Sequence, residues 1–231
     1  MPRRPSTRRQ AQAVLDAVDL RGFDVVVDPT EALLQRVVAE AGKAQLADLG
    51  VGTPDAFRQV NSDAVAYARA RAAELVGRKR DEDGQLVDNP RAEFAITDGT
   101  REYLRSTVET AIEEGWSSEQ LAEAMEENTA FSPMRARLIA RTEVGSAYGQ
   151  GQLVGAQAAD MGSKKWLASP GSCSDCLANE AQGWIDIDDD FQSGDAAPLA
   201  HPACTCDVDF REGLEDSGNG NGDNEGSNGE G

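Results

Sequence analysis

The sequence predicts an α+β protein that is mostly α-helical, and three observations carry that reading. Apolar residues recur at three- and four-residue steps between residues 28 and 161, with capping and stop signals separating the runs. After residue 162 the period changes to two in short stretches containing Trp, Ile, Val and Phe. All four cysteines and the single histidine of the 231-residue chain fall in that later part, ahead of a tail of Gly, Asn, Ser, Asp and Glu. The expected architecture is a helical N-terminal and central region, a small β, Cys/His metal-stapled C-terminal element, and a disordered acidic tail.

Residues 1–22 read as a basic arm, where Arg3, Arg4, Arg8, Arg9 and Arg21 face Asp16 and Asp19 for a balance of +3. A solvated, disordered terminus is expected there, able to touch nucleic acid or an acidic partner. No apolar run follows Met1-Pro2-Arg3-Arg4, so nothing marks the chain for secretion.

Residues 23–90 read as an N-terminal helical region. Asp28-Pro29-Thr30 precedes Leu33, Leu34, Val37, Val38 and Ala41, a stripe that reaches Leu49 before Gly50 stops it. Thr53 is placed to cap a second helix with Pro54 at its first position, and Phe57, Val60, Ala64, Tyr67, Ala68 and Leu75 form its buried face up to Gly77. The charged stretch from Arg78 to Gly84 reads as an exposed linker turn.

Residues 91–162 read as a central helical region. One helix starts near Thr97 or Thr100 and runs through Leu104, Val108, Ala111 and Ile112 to Gly115. Ser117-Ser118-Glu119-Gln120 is a capping box for a short helix that turns Leu121, Ala124 and Met125 inward. Ser132-Pro133 opens the longest helix, which ends near Met161 and Gly162. It carries Gly145, Gly149, Gly151 and Gly155, each costing up to ~1 kcal/mol relative to alanine, so the helix either breaks there or packs its backbone closely on a neighbour.

Residues 163–211 hold the small β element, with strands expected at 163–167, 184–187 and 206–210, and residues 212–231 are the disordered tail. The net charge of −19 is uneven: from Ala178 onward fourteen acidic residues face Arg211 alone. That balance excludes a protein that coats nucleic acid over its whole surface, because phosphate binding needs a basic face. No apolar run approaches the ~20 residues of a membrane span, so a soluble protein with no membrane partner is expected.

Cys173-Ser174-Asp175-Cys176 and His201-Pro202-Ala203-Cys204-Thr205-Cys206 offer five soft ligands for one site. Zn²⁺ takes four thiolate or imidazole ligands in a tetrahedron, and two short knuckles separated by a loop supply them. The expected set is Cys173, Cys176, His201 and Cys204, with Cys206 either replacing one of these or remaining a neighbouring free thiol. Four protein ligands leave no open position for water, so the zinc would be structural, and no cofactor-binding or catalytic residue is expected. Paired disulfides and a redox Cys-x-x-Cys are the competing readings, and neither a secretory signal nor a thioredoxin-like context accompanies them.

The succession Ala140-Arg141-Thr142-Glu143, the glycine-bearing helix, Lys164-Lys165-Trp166, Cys173-x-x-Cys176 and His201-Pro202-x-Cys204-x-Cys206 resembles the Mu F-like minor head proteins of tailed bacteriophages, also called phage head morphogenesis proteins. The resemblance covers roughly Ala95 to Phe210. It departs from the family at Thr205, where arginine is usual, which leaves the ligands intact. The resemblance implies a minor capsid protein in the virion, in the capsid interior near the portal, and in the host cytoplasm during assembly. Its implied partners are the portal and other head proteins, with contact to viral double-stranded DNA, and its implied role is procapsid assembly, DNA packaging or delivery without catalysis.

Arg137 and Arg141 lie one helical turn apart, with Glu143 elsewhere on the same turn. They read either as an anchor for the metal module or a portal contact, or as an ordinary helix ion pair. Two other classes compete with the head-protein reading. One is a zinc-dependent nucleic-acid-binding protein, which would need Lys and Arg around the knuckles. The other is an ADP-ribosyltransferase-type enzyme or toxin, which would need an NAD cleft and a glutamate on a strand.

Overall fold

The computed structural model describes residues 20–92, 95–114, 120, 124 and 133–213. A 3-10 helix, Leu20–Val26, leads into α1, Val27–Asp48, and α2, Pro54–Glu74. A hairpin of β1, Arg78–Arg80, and β2, Leu86–Asp88, precedes α3, Ile96–Glu114. The long α4, Pro133–Ala158, is followed by β3, Ser163–Leu167, then α5, Ser174–Ala181, β4, Trp184–Asp186, and β5, Asp207–Arg211. The molecule is thus α+β and mostly helical, as its periodicity indicates. The capping box at 117–120 and its helix, the basic arm up to residue 19 and the tail beyond residue 213 lie outside the described residues, apart from Gln120 and Ala124.

Local chemistry sets most helix ends. Thr53 Oγ1 accepts the Ala56 N–H at 3.2 Å, with Pro54 at the first helical position, as the sequence suggests. Gly50 and Gly77 take φ of +72° and +73° where α1 and α2 end, a conformation that costs glycine little. One start differs from expectation: α1 begins at Val27, so Pro29 lies inside its first turn. The first four amides of a helix have no intrahelical partner, so a missing N–H is tolerated there.

The segment 78–84 is also not a plain linker. It opens the antiparallel hairpin of β1 and β2, where acids inside and outside the hairpin neutralise its arginines. Arg78 pairs with Asp24 and Asp88, and Arg80 reaches Asp28 at 2.9 Å and Glu31 at 2.8 Å, both on α1.

Helices α1, α2 and α4 pack together through small residues. Leu34, Val38, Ala64, Ala68 and Ala147 form one buried cluster, and Leu46, Ala56, Val60 and Val154 another. Leu33 stays 40% exposed, since the apolar stripe on α1 is wider than the face that α2 and α4 cover. The glycines of α4 settle the alternative left open by the sequence: the helix runs unbroken and its backbone is approached closely. A Cβ on Gly151 would lie 2.6 Å from both the Ala41 Cβ and the Val38 carbonyl oxygen, and one on Gly155 would lie 2.5 Å from the Gly42 carbonyl oxygen.

The C-terminal module is a three-stranded antiparallel sheet in the order β4-β3-β5, with Trp166 opposite Val208 and Lys164 opposite Ile185. The helix α5 between the first two strands is absent from the sequence reading, which treats this region as strands and loops. Eight residues with few apolar side chains give too little period to reveal it. The module seats on the helices in two places. Ile187 packs with Leu153 and Ala156 of α4, while Pro198 and Leu199 press on Gly149 and Gly145, where a Cβ would overlap the Pro198 carbonyl oxygen and stand 2.6 Å from the Leu199 Cδ1.

Candidate metal centre

Each soft ligand is positioned by an element whose chemistry explains its place. Cys173 is the N-cap of α5 and Cys176 lies in its first turn, so the Cys-x-x-Cys spacing turns both sulfurs toward one side. His201 and Cys204 belong to the loop that leads into β5, and the Cys204 N–H donates to the His201 carbonyl at 3.1 Å, closing a tight turn. Ala203 takes φ of +65° in this turn, a left-handed conformation unusual for a residue with a Cβ. Cys206 immediately precedes β5.

The ligand atoms converge. His201 Nε2 is 3.1 Å from Cys173 Sγ and 3.4 Å from Cys176 Sγ, and Cys176 Sγ is 3.7 Å from Cys204 Sγ. With metal–sulfur bonds of about 2.3 Å and metal–nitrogen bonds of about 2.0 Å, the edges of a tetrahedron are about 3.8 Å between sulfurs and about 3.5 Å between sulfur and nitrogen. Two triads able to hold a metal ion emerge among the described residues, Cys173 with Cys176 and His201, and Cys176 with Cys204 and Cys206. Cys176 belongs to both.

Protonation fits the same use. His201 Nδ1 lies 2.9 Å from the Pro202 carbonyl oxygen, which can only accept, so Nδ1 carries the proton and the Nε2 lone pair faces the sulfurs. That backbone hydrogen bond is also the main reason the imidazole pKa is raised. Burial above all pushes the Cys176 thiol well up, while amides of the first turn of α5, that of Cys176 foremost, hold the Cys173 thiol below its ordinary value. Burial raises Cys206 too, but the Ser172 hydroxyl at 3.4 Å, the Ser169 backbone, Trp166 and Cys204 outweigh it and bring Cys206 to about 7. The buried Trp166 Nε1 has no oxygen partner among the described residues and acts on this sulfur instead.

The cysteines also form the interior of the module. Cys176, Cys204 and Cys206 share one buried cluster with Trp166, Phe191 and Val208. Trp166 and Phe191 meet edge to face with centroids 5.0 Å apart. Buried Asn179 clamps the 191–195 loop, donating to Ser193 Oγ at 2.8 Å and accepting the Ser193 N–H at 3.0 Å. Lys164 is buried as well, its ammonium donating to the Ala196 carbonyl at 2.8 Å and lying 5.2 Å from the Phe191 ring centroid. Desolvation is the leading reason its pKa is lowered.

Residues 102–209 match the profile of the family described as Phage Mu protein F like protein, a stretch that contains all five soft ligands and the whole of α4. This stretch, a little under half of the chain, is similar to the Mu F-like family. The chain is also similar to the small ribosomal subunit protein uS3c of Ostreococcus tauri, with 28% identity over 128 residues, 53% of this chain and 61% of that protein. The chain therefore spans about three fifths of that relative's length. No solved structure matches the chain.

Within the Mu F-like stretch, the structure separates the three helical residues that the sequence groups. Arg137 and Arg141 are exposed on α4. Glu143 is buried, and it pairs with neither of them. Its two carboxylate oxygens take the Arg71 guanidinium, Nε at 2.9 Å and Nη2 at 3.0 Å, and Arg71 Nη1 also meets Glu74 at 3.0 Å. Burial opposes the charge on Arg71, but the bonds to Glu143 and Glu74 outweigh it and raise the pKa. The pair fastens α2, upstream of the family match, to α4. The sequence contains one signal for it: Arg71 interrupts the apolar face of Tyr67, Ala68 and Leu75, and a charge in such a place requires a partner. Arg71 and Glu143 line a cleft of about 620 Å³ that extends to Leu199 and His201.

Proposed function

We propose that this protein is a phage minor head protein that associates with the portal and serves head assembly, DNA packaging or delivery as a structural component. The match of residues 102–209 to the Mu F-like family is the observation that carries this reading. In this role the Cys/His cluster holds a structural Zn²⁺ through Cys173, Cys176, His201 and Cys204. The donor chemistry supports it, since three thiolates and one imidazole suit zinc and close its coordination. The ion ties the start of α5 to the loop before β5, two segments with few other bonds between them. A module whose buried cluster is half cysteine gains from metal what it lacks in apolar area.

The interior of the virion near the portal is the proposed location, and viral DNA is a candidate contact. No helix among the described residues is long and apolar enough to cross a membrane. The ribosomal likeness is not carried over, because a net charge of −19 opposes an RNA-coating role. An enzymatic reading of the Arg and Glu pattern is weakened by its geometry: Glu143 sits in a helix with both oxygens engaged by Arg71.

Co-expression with the portal protein of the same phage genome tests the partner. Co-purification of a stable complex is expected, and two proteins that elute separately at micromolar concentration would sink the portal assignment. Elemental mass spectrometry of protein purified without chelator tests the metal separately, with about one zinc per chain expected.

A further inference from the structure

Five soft ligands gather around Cys176, and a closed zinc site takes four. The two triads meet at Cys176, and their outer members differ in environment. Cys173 is exposed at the end of α5, whereas Cys206 is buried. The two are nevertheless neighbours through a single residue, because Ser172, next to Cys173 in the chain, places its hydroxyl 3.4 Å from Cys206 Sγ. Exchanging Cys173 for Cys206 leaves three thiolates and one imidazole, so neither donor type nor site charge changes.

We infer that the module holds its ion in either of two ligand sets that share Cys176, His201 and Cys204, with Cys173 and Cys206 as alternative fourth ligands. This rests on the metal reading above. In the outer set Cys206 is spare, held by Ser172 and facing the Trp166 N–H. In the inner set Cys173 is released to solvent. The step is a ligand exchange in which one metal–sulfur bond replaces another; the incoming thiol gives up its proton and the departing thiolate takes one up, so net charge and protons are unchanged. The exposed thiolate can therefore be lost without loss of the ion.

The test uses the full chain as wild type, Cys173→Ser, Cys206→Ser, the double variant and Cys176→Ser. It measures zinc content after dialysis, chelator competition, and the thiolate-to-Co²⁺ absorption of the cobalt form. Each single variant at 173 or 206 should keep about one ion with three thiolates and lose about tenfold in affinity. The double variant and Cys176→Ser should bind none. Circular dichroism checks that the helices survive. A measurement free of variants accompanies it: iodoacetamide treatment of the zinc-loaded wild type, read by mass spectrometry, should place its label on both Cys173 and Cys206 across the population. Label confined to one of these, or two ions per wild-type chain bridged by Cys176, overturns the inference. So does one single variant losing its ion while the other keeps it. A wild type that binds no ion removes the metal reading itself, a different result from a loaded wild type with one empty variant.

Discussion

Between α1 and α4 the contact is made by backbone, with Gly42, Gly151 and Gly155 letting the two helices approach until no Cβ would fit. In the C-terminal module the contact is made by sulfur, with Cys176, Cys204 and Cys206 taking half the places in its buried cluster. Helices with small residues at the seam gain dispersion contacts along their whole length and need nothing from solution. A short sheet with one eight-residue helix has little apolar surface to bury, so the proposed ion would contribute much of its order. One polypeptide thus combines a region stabilised by shape with a region that, on the proposed metal reading, is stabilised by coordination, and the two should fail separately.

The largest expected effect breaks the second region alone. Stripping metal with a strong chelator, or replacing Cys176 by serine, removes binding free energy on the order of 10 kcal/mol. The fluorescence of Trp166 and Trp184 should report an early transition while helical ellipticity remains. Simultaneous loss of both signals would show that the helices depend on the module.

The converse substitution attacks the seam. Gly151→Leu pushes a side chain into Val38 and Ala41 and should cost more than the ~3 kcal/mol upper range of ordinary overpacking, because the Val38 carbonyl it meets is backbone that cannot rotate away. Denaturant unfolding should show this loss, with zinc content unchanged. Glu143→Ala should cost about 3 kcal/mol by leaving the Arg71 charge without its main partner, measured in the same way. Arg137→Ala and Arg141→Ala, on the same helix but exposed, should fall within about 0.5 kcal/mol of wild type.

Acidity acts on the module and leaves the seam alone. Metal binding must displace protons held by thiols such as Cys176, whose pKa burial raises, and by His201, whose pKa is raised by its bond to Pro202. Affinity therefore falls as pH falls, by about tenfold per pH unit for each proton displaced. Chelator competition at pH 8 and at pH 6 measures it, and equal affinities would contradict ligation by protonatable groups.

By itself the sequence determined the helical character, the Thr53-Pro54 start, the glycine stops at 50 and 77, the three late strands, and the gathering of all soft ligands in one segment. These depend on period and on bonds between residues a few positions apart, which a linear reading can follow. It did not contain the hairpin at 78–88, whose Arg80 is neutralised by acids on α1 and whose Arg78 meets Asp24 and Asp88, or α5, whose eight residues are too few for a period. Only the tertiary structure decided that Glu143 turns from its own helix to Arg71, 72 positions away. It alone decided that the glycines of α4 admit a neighbour's backbone, and that Cys176 stands where two triads meet. Such choices are made by packing in three dimensions, where burial forces a charge or a sulfur to take the partner that geometry brings nearest.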